Sequence, residues 1–375
     1  MPNVPPLRFP EFSGEWEKQG FADNLLRLEN GVNYDTNETE GLPLSRIETI
    51  STCSINYEKV GYCNSKNIDH YKMEYGDILF SHINSMSHIG KTAYYYAERP
   101  LYHGMNLLLF RCNSRLNSLF FYHLLNTPRF LRTCQVYAKQ AVNQASISTS
   151  DIKKIQIHIP NIHEQNKIAT FISLIDQRIE TQIRVIDKLE SLIKGIYQKV
   201  FDSIQANYLP LSQLCTIQKG EQINGDELAE TGDYYVMNGG ITPSGYYSRY
   251  NSVADTISVS EGGNSCGYVQ YNTECFWSGG HCYTLTDVNQ SISKCYLYHY
   301  LKYKEKEIMA LRIGSGLPNI QKKDLSKFPI LILPLSEQQR VANLLQLIAE
   351  KIKVEKDNLN HLSQQKAYLL QNMFI

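Results

Sequence analysis

The chain has 375 residues, of which 37 are basic, 37 acidic and 42% hydrophobic, and its formal net charge is zero. That length suggests about two domains, the apolar fraction suffices for buried cores, and the neutral balance excludes a uniformly basic coat for gripping phosphate. No apolar run is long enough to span a membrane. The opening MPNVPPLRFPEFSGEWEKQG lacks the basic-then-apolar order of a secretory signal. The nine cysteines, odd in number and without a C-x-x-C pair, argue against a disulfide framework or structural zinc and for a reducing cytoplasm.

Charge is regional. Residues 1–50 carry 4 basic and 9 acidic side chains, and residues 51–150 carry 10 and 5. In chain order, GDILFSHINSMSHIGKTAYYY (Gly76 to Tyr96) reads as a strand, a polar loop, a glycine and a second strand. HGMNLLLFRC (His103 to Cys112) adds a glycine and another strand, and QASISTSDIKKIQIHIP (Gln144 to Pro160) closes the region. Within it SMSHIGKT ends like a phosphate-binding loop. However, Ser85 stands where the first glycine belongs, and AYYYAE reads as strand where a helix is required.

PNIHEQNKIATFI (Pro160 to Ile172) opens a long helix. Ile172, Ile179, Ile186, Ile193 and Val200 recur every seven residues. Ile175, Leu189 and Ile196 fill the other seam position, with Gln182 as the exception. The helix covers roughly 36 residues, about 54 Å at 1.5 Å per residue.

The second half repeats this order. ADTISVSEGGNSCGYVQY (Ala254 to Tyr271), SGGHCYTLT (Ser278 to Thr286) and LPNIQKKDLSKFPILILP (Leu317 to Pro334) match the three earlier stretches. PLSEQQRVANLL (Pro334 to Leu345) then echoes the helix entry, with Glu164, Gln165 and Ala169 returning as Glu337, Gln338 and Ala342, a shift of 173. Its seam holds Leu345, Ile348, Ile352, Leu359, Leu362, Leu369 and Met373, interrupted by Glu355 and Lys366. A polar seam residue either fixes register or marks drift of the seam toward solvent. Each helix follows a proline and carries a glutamate in its first turn, which suits the positive end of the helix dipole. Such a long shift means one duplicated half rather than a solenoid. The two seams pack on each other, or each forms its own homo-oligomeric coil.

Thirteen of the 26 tyrosines lie between Tyr208 and Tyr303, either as a contact surface or as strand-facing residues. The pairs Gly239-Gly240, Gly262-Gly263 and Gly279-Gly280 bring backbone close to a ligand or make tight turns. There is no Pro-Asp pair, Glu-x-Lys triplet, Asn-Pro-Pro-Tyr, H-E-x-x-H or G-x-S-x-G. GSGLPN (Gly314 to Asn319) is half of a G-x-G-x-x-G. The ten histidines are scattered, so neither a metal site nor a nucleophile is expected.

In combination, LRFPEF (Leu7 to Phe12), GDILFSHINSMSHIGK, ITPSGYYSRYN (Ile241 to Asn251), EGGNSCGYV, SGGHCYTL, the twice-used P…EQ entry and the two long helices resemble the specificity subunit of type I restriction–modification systems. The likeness runs over essentially the whole chain. It implies an α+β fold: two mixed α/β target-recognition domains separated by two long antiparallel coiled-coil helices, with a pseudo-two-fold internal repeat. The implied division is a first recognition domain over 1–159, a spacer helix over 160–206, a second recognition domain over 207–333 and a second spacer helix over 334–375.

The implied role is non-catalytic. Each domain reads one half of a bipartite, asymmetric site in double-stranded DNA. The helices set the spacing and dock two methyltransferase subunits, and restriction/translocase subunits complete the complex. S-adenosylmethionine, ATP and magnesium belong to those partners; the chain itself is expected to bind no cofactor, metal or membrane. A coiled-coil adapter with two globular heads and no DNA function is the alternative. Candidate base readers are polar residues of the matched loops: Ser81, His82, Asn84, His88 and Lys91 in the first domain, and Tyr246, Tyr247, Arg249, Glu261, Asn264 and His281 in the second. Asn suits adenine, Arg suits guanine and Glu suits cytosine. Helix-interface and partner-docking candidates are Glu164, Gln165, Ile172, Ile179 and Ile186, with Glu337, Gln338, Leu345, Ile352 and Leu359.

Overall fold

The computed structural model describes residues 3–34, 38–65, 67–140, 144–202, 207–314, 316 and 318–375. Ser315 and Leu317 of the GSGLPN stretch, and residues 203–206 at the end of the proposed first spacer, lie outside these. Two compact units are present, residues 1–183 with 358–375 and residues 184–357. Each unit therefore owns part of both long helices, Ile162–Phe201 and Leu335–Asn372.

The first unit is built on a four-stranded antiparallel sheet in the order Leu25–Asn30, Leu108–Cys112, Ile78–Phe80, Thr92–Tyr94. Alternation along the strands sends Ile78, Phe80, Leu108 and Phe110 to one core. It sends Leu79, Ala93, Leu107 and Leu109 to another. On the first face Phe21 meets the rings of Phe110, Phe121 and Phe130 at 5.2–5.7 Å. Burying one such side chain stabilises by about 1.5–3 kcal/mol. Short helices Ser118–Leu125 and Pro128–Tyr137 follow, capped by Asn117 and Thr127, each accepting a backbone amide of the first turn. The strand Gln156–Ile159 pairs with Glu17–Gly20 and leads into the first long helix.

The second unit repeats this construction. Its four-stranded sheet runs Thr216–Lys219, Cys282–Thr286, Thr256–Ser260, Val269–Asn272. The helix Lys294–Tyr303 follows, capped by Ser293, and the strand Pro329–Ile332 pairs with Asn207–Pro210 before the second long helix. The smaller sheets differ. The first unit has Ile83–Asn84, Ala145–Ser146 and Lys139–Gln140, whereas the second has Tyr246–Tyr247, Tyr234–Met237 and Trp277–Ser278.

Within each unit the start of one long helix shares a core with the end of the other. Ile168 and Ile172 join Leu370 and Met373 in the first unit, and Ala342 joins Phe201 in the second. The helix segments are thus antiparallel inside each unit. Lys366–Asp176 and Lys356–Glu190 ion pairs tie them, one pair per unit. All seam positions expected from the heptads are buried or half-buried. Glu355 is buried in the seam, with Lys351 one turn away as its ion-pair partner, so the seam does not drift outward there. Among the described residues, no helix is long and apolar enough to cross a membrane.

Candidate nucleic-acid interface

The matched loops share a backbone frame. In the first unit the Ser81 amide donates to Lys91 O (2.8 Å), and the Gly90 amide donates to Ser81 O (2.9 Å). In the second the Ser260 amide donates to Tyr268 O (2.9 Å), and the Gly267 amide donates to Ser260 O (2.8 Å). Both glycines sit at positive φ, +86° and +93°, where a side chain is strained. The frame is common; what hangs on it is not.

In the first unit Ser81, Asn84, His88 and Lys91 line one depression together with Glu48, Ser51 and Ser85. The Asn84 amide donates to Ser81 Oγ (3.1 Å), His88 Nδ1 lies 2.8 Å from Ser85 Oγ, and Lys91 Nζ donates to Ser51 O (2.8 Å). His88 is exposed, and Asn84 and Lys91 are half-buried. Ser81 and His82 are buried and offer no side-chain surface to a duplex. His82 turns away from the depression, its Nε2 lying 3.2 Å from the Asn30 amide nitrogen, and burial pushes its imidazole down to about 4.

The six candidates of the second unit fall in two places. Glu261, Asn264 and His281 line a cleft with Lys219, Asn238, Asn319 and four glycines, Gly239, Gly240, Gly262 and Gly263. Glu261 Oε1 accepts from Lys219 Nζ (2.7 Å) and from the Tyr283 hydroxyl (3.1 Å). Tyr246 and Tyr247 form the edge strand of a different, three-stranded sheet, and Arg249 lies in the loop that follows it. There the Arg249 guanidinium donates to the Tyr247 hydroxyl (2.7 Å), which donates to Glu227 (3.2 Å), and Trp277 sits edge-on to Tyr247 at 5.1 Å. Lys219, Asn238 and Trp277 were not foreseen. The glycine pairs were the available signal for the cleft, but Lys219 reaches Glu261 only because its strand pairs in register with Tyr283. The tyrosines divide: Tyr283, Tyr296 and Tyr300 are core, whereas Tyr208 and Tyr250 are about half exposed.

The EQ entries act inside their own units. Gln165 accepts from the Asn117 amide (2.8 Å) and donates to Arg115 O (3.1 Å) and Pro160 O (2.9 Å). Gln338 accepts from the Ser293 amide (2.8 Å) and donates to Ser291 O (3.2 Å) and Leu333 O (2.8 Å). Each glutamine clips the start of a long helix to the cap of a short one. Glu164 is fully buried, accepting two 2.7 Å bonds from Arg8 and one from Trp16; Glu337 is exposed. Ile172, Ile186 and Leu345 are buried, and Ile179, Ile352 and Leu359 are half-buried; Ile172 shares its core with Leu370 and Met373 of the other long helix. The exposed apolar residues of the long helices lie off the seam. Phe171 and Leu174 in the first unit recur, at the same 173-residue shift, as Leu344 and Leu347 in the second, 38–65% exposed. Among the described residues, no cluster of His, Cys, Asp or Glu could hold a metal.

Comparison with known proteins gives a consistent result. The family model described as type I restriction modification DNA specificity domain matches twice, over residues 27–191 and 206–364. A putative type I restriction enzyme specificity subunit of Methanocaldococcus jannaschii is 28% identical over 96% of this chain and 93% of its own. A putative type I specificity subunit of Mycoplasma pneumoniae is 34% identical over 40% of each chain. Among solved structures, the crystal structure of a type I restriction–modification S subunit from M. genitalium superposes with a TM-score of 0.75 over 99% of both chains at 20% identity, a likeness of fold.

Proposed function

The chain belongs to the family of the type I restriction modification DNA specificity domain, and on that premise we propose that each of its two units reads one half of a bipartite, asymmetric DNA site. It is the DNA sequence-recognition subunit of a type I restriction–modification complex and is non-catalytic. The observation that carries the two-half reading is the pairing of one repeated framework with two unlike loops. A duplicated fold with identical loops would read a palindrome; unlike loops on like frames suit unlike half-sites. The readers proposed for the first unit are Asn84, His88 and Lys91. Those for the second are the Glu261–Asn264–His281 cleft and the Tyr246–Tyr247 strand with Arg249 in the loop after it.

The complex has further subunits. We assign to them the methyl transfer, the S-adenosylmethionine, the ATP and the magnesium, and to this chain no cofactor. Two methyltransferase subunits would dock on the repeated exposed patches, Phe171 with Leu174 and Leu344 with Leu347, and the long helices would set the spacing of the half-sites. Restriction/translocase subunits would complete the assembly. Nine free thiols suit a reducing cytoplasm.

The experiment is to map methylated adenines in a host given this chain and its partner methyltransferase. A split motif that disappears without this chain is expected. The adapter alternative predicts no sequence-dependent methylation. Arg249→Ala should relax one position of one half-site and leave the other half intact; equal loss on all sequences would make Arg249 a phosphate contact.

A further inference from the structure

We infer that Tyr247 is the positioning residue of Arg249, and that Arg249, held by it, is a specificity-determining residue of the second unit that takes guanine; the inference rests on the DNA-reading function above. Three features meet at this pair.

The first is a short loop tied at both ends. Tyr247 ends its strand in register with Tyr234. Asn251 clips the far end: its Nδ2 donates to Ser278 O (3.0 Å), and its Oδ1 accepts from the Ser278 amide (2.6 Å). Beside it, Ser252 and Phe276 exchange two backbone hydrogen bonds, each 3.0 Å. Only Ser248, Arg249 and Tyr250 remain between the ties, and the Tyr250 ring packs on Tyr234 at 5.0 Å. Arg249 is thus the exposed middle residue of a three-residue loop. An exposed side chain on an immobilised backbone is what a preorganised reader needs.

The second is a guanidinium that is held and still keeps a whole edge. Its carbon lies 5.4 Å from the centroid of the Tyr247 ring, a cation–π distance. Its Nη2 donates to the Tyr247 hydroxyl (2.7 Å), which in turn donates to Glu227 (3.2 Å), so the hydroxyl is oriented as an acceptor for the arginine. Trp277 supports the ring edge-on at 5.1 Å and is itself anchored through Nε1 to Glu221 O (3.0 Å). Among the described residues, Tyr247 is the one hydrogen-bond partner of Arg249. Nη2 carries two hydrogens, one on each edge of the fork. Whichever of them Tyr247 takes, the other edge keeps both of its parallel donors. Arginine stays protonated in proteins, so that edge persists at every working pH.

The third is the match. In the major groove guanine alone presents two adjacent acceptors, O6 and N7. Adenine sets a donor beside its acceptor, cytosine presents a donor, and thymine presents an acceptor beside a methyl group. Two parallel donors therefore select guanine where a single donor would not. A phosphate also accepts such a fork, but the surroundings oppose it. Residues 221–233 carry five acidic side chains and no basic one, all five are exposed, and Glu227 among them is bonded to Tyr247. Like charge repels a phosphate there and spares a neutral base edge.

The test uses the complex with its partner subunits on a DNA library randomised in the second half-site, read by sequencing of methylated products. In the wild type one position should prefer guanine. Arg249→Ala should lose that preference by about tenfold with the first half-site unchanged. Arg249→Lys keeps the charge without the planar fork and should lose most of it too. Tyr247→Phe keeps the ring and removes the hydroxyl, and should weaken the same preference by about threefold. Placed on Arg249→Ala, Tyr247→Phe should change neither the motif nor the extent of methylation; a purely structural role for Tyr247 would lower methylation on all sequences in both backgrounds. An unchanged preference in Arg249→Lys overturns the inference, because charge alone would then suffice. So does a preference for another base at the affected position. A uniform loss on all sequences with a shallower salt slope, which marks a phosphate contact, overturns it as well, as does loss at both half-sites in Arg249→Ala. A wild-type complex with no split motif would overturn the DNA-reading function itself, and is told apart by appearing without any substitution.

Discussion

In both units a buried glutamine at the start of a long helix ties three backbone groups, while the glutamate beside it is buried in the first unit and exposed in the second. The loops diverge further. The residue after the matched serine is His82, buried against Asn30, in the first unit, and Glu261, paired with Lys219, in the second. What recurs closes the framework around the helices; what differs lies in the loops or in how the chain terminus is anchored. The repeat is therefore a repeat of scaffolding, and its departures mark where each unit does something of its own.

The glutamates give the largest expected difference. Glu164→Ala removes a fully buried carboxylate from a bidentate pair with Arg8, whose side chain is 12% exposed, and strands that guanidinium. Breaking such a pair costs about 3–5 kcal/mol. Glu337→Ala, at an exposed position, should stay within about 0.5 kcal/mol. Urea unfolding of the two variants checks the contrast; equal losses would mean that the duplicated glutamates serve one role after all.

The glutamines should behave oppositely, as equals. Gln165→Ala leaves the Asn117 amide and two carbonyls without their partner, and Gln338→Ala does the same to Ser293, Ser291 and Leu333. About 2–3 kcal/mol is expected at each site. Hydrogen exchange at the amides of Asn117 and Ser293 would locate the loss in the unit concerned.

Acid should separate the units again. His82 and His103 are both pushed by burial from 6.5 to about 4, and His123 to about 3, all in the first unit; the second has His299, also pushed to about 4. A histidine with a lowered folded pKa binds fewer protons folded than unfolded. Its contribution is intact above about 6.5 and is lost as pH falls toward about 4. Amide protection in the first unit should therefore fall before that of the second as pH drops through this window. Protection lost in parallel would discount the buried histidines.

The helix seams were legible in the sequence because a seven-residue apolar period has one physical solution: the seam faces a neighbour. Even Glu355, off-pattern in composition, keeps its seam position and is buried there. The duplication was legible from PNIHEQ and PLSEQQ, and the strand–loop–glycine–strand order from Gly90 and Gly267. The sites were less so. Ser81 and Asn84 look alike as loop residues, yet burial takes Ser81 out of reach of solvent, a fact set by the sheet beneath it. Lys219 meets Glu261 across 42 positions of sequence, and Arg8 meets Glu164 across 156. No local pattern encodes such pairings; strand register and chain return create them.

The smallest expected effect on the fold concerns a surface feature that the repeat keeps. Leu174 and Leu347 are 57% and 65% exposed, at equivalent places on the two long helices and outside the seam. A scattered exposed leucine needs no explanation; the same exposed pair used twice does. Leu174→Lys and Leu347→Lys should each alter stability by less than about 0.5 kcal/mol, because neither side chain contributes to a core. If the patches seat partner subunits, each variant should lose one of two methyltransferase subunits in native mass spectrometry, and the double variant both. A full complement of partners on the double variant would move the docking surface elsewhere, and would leave the exposed repeat as a by-product of duplication.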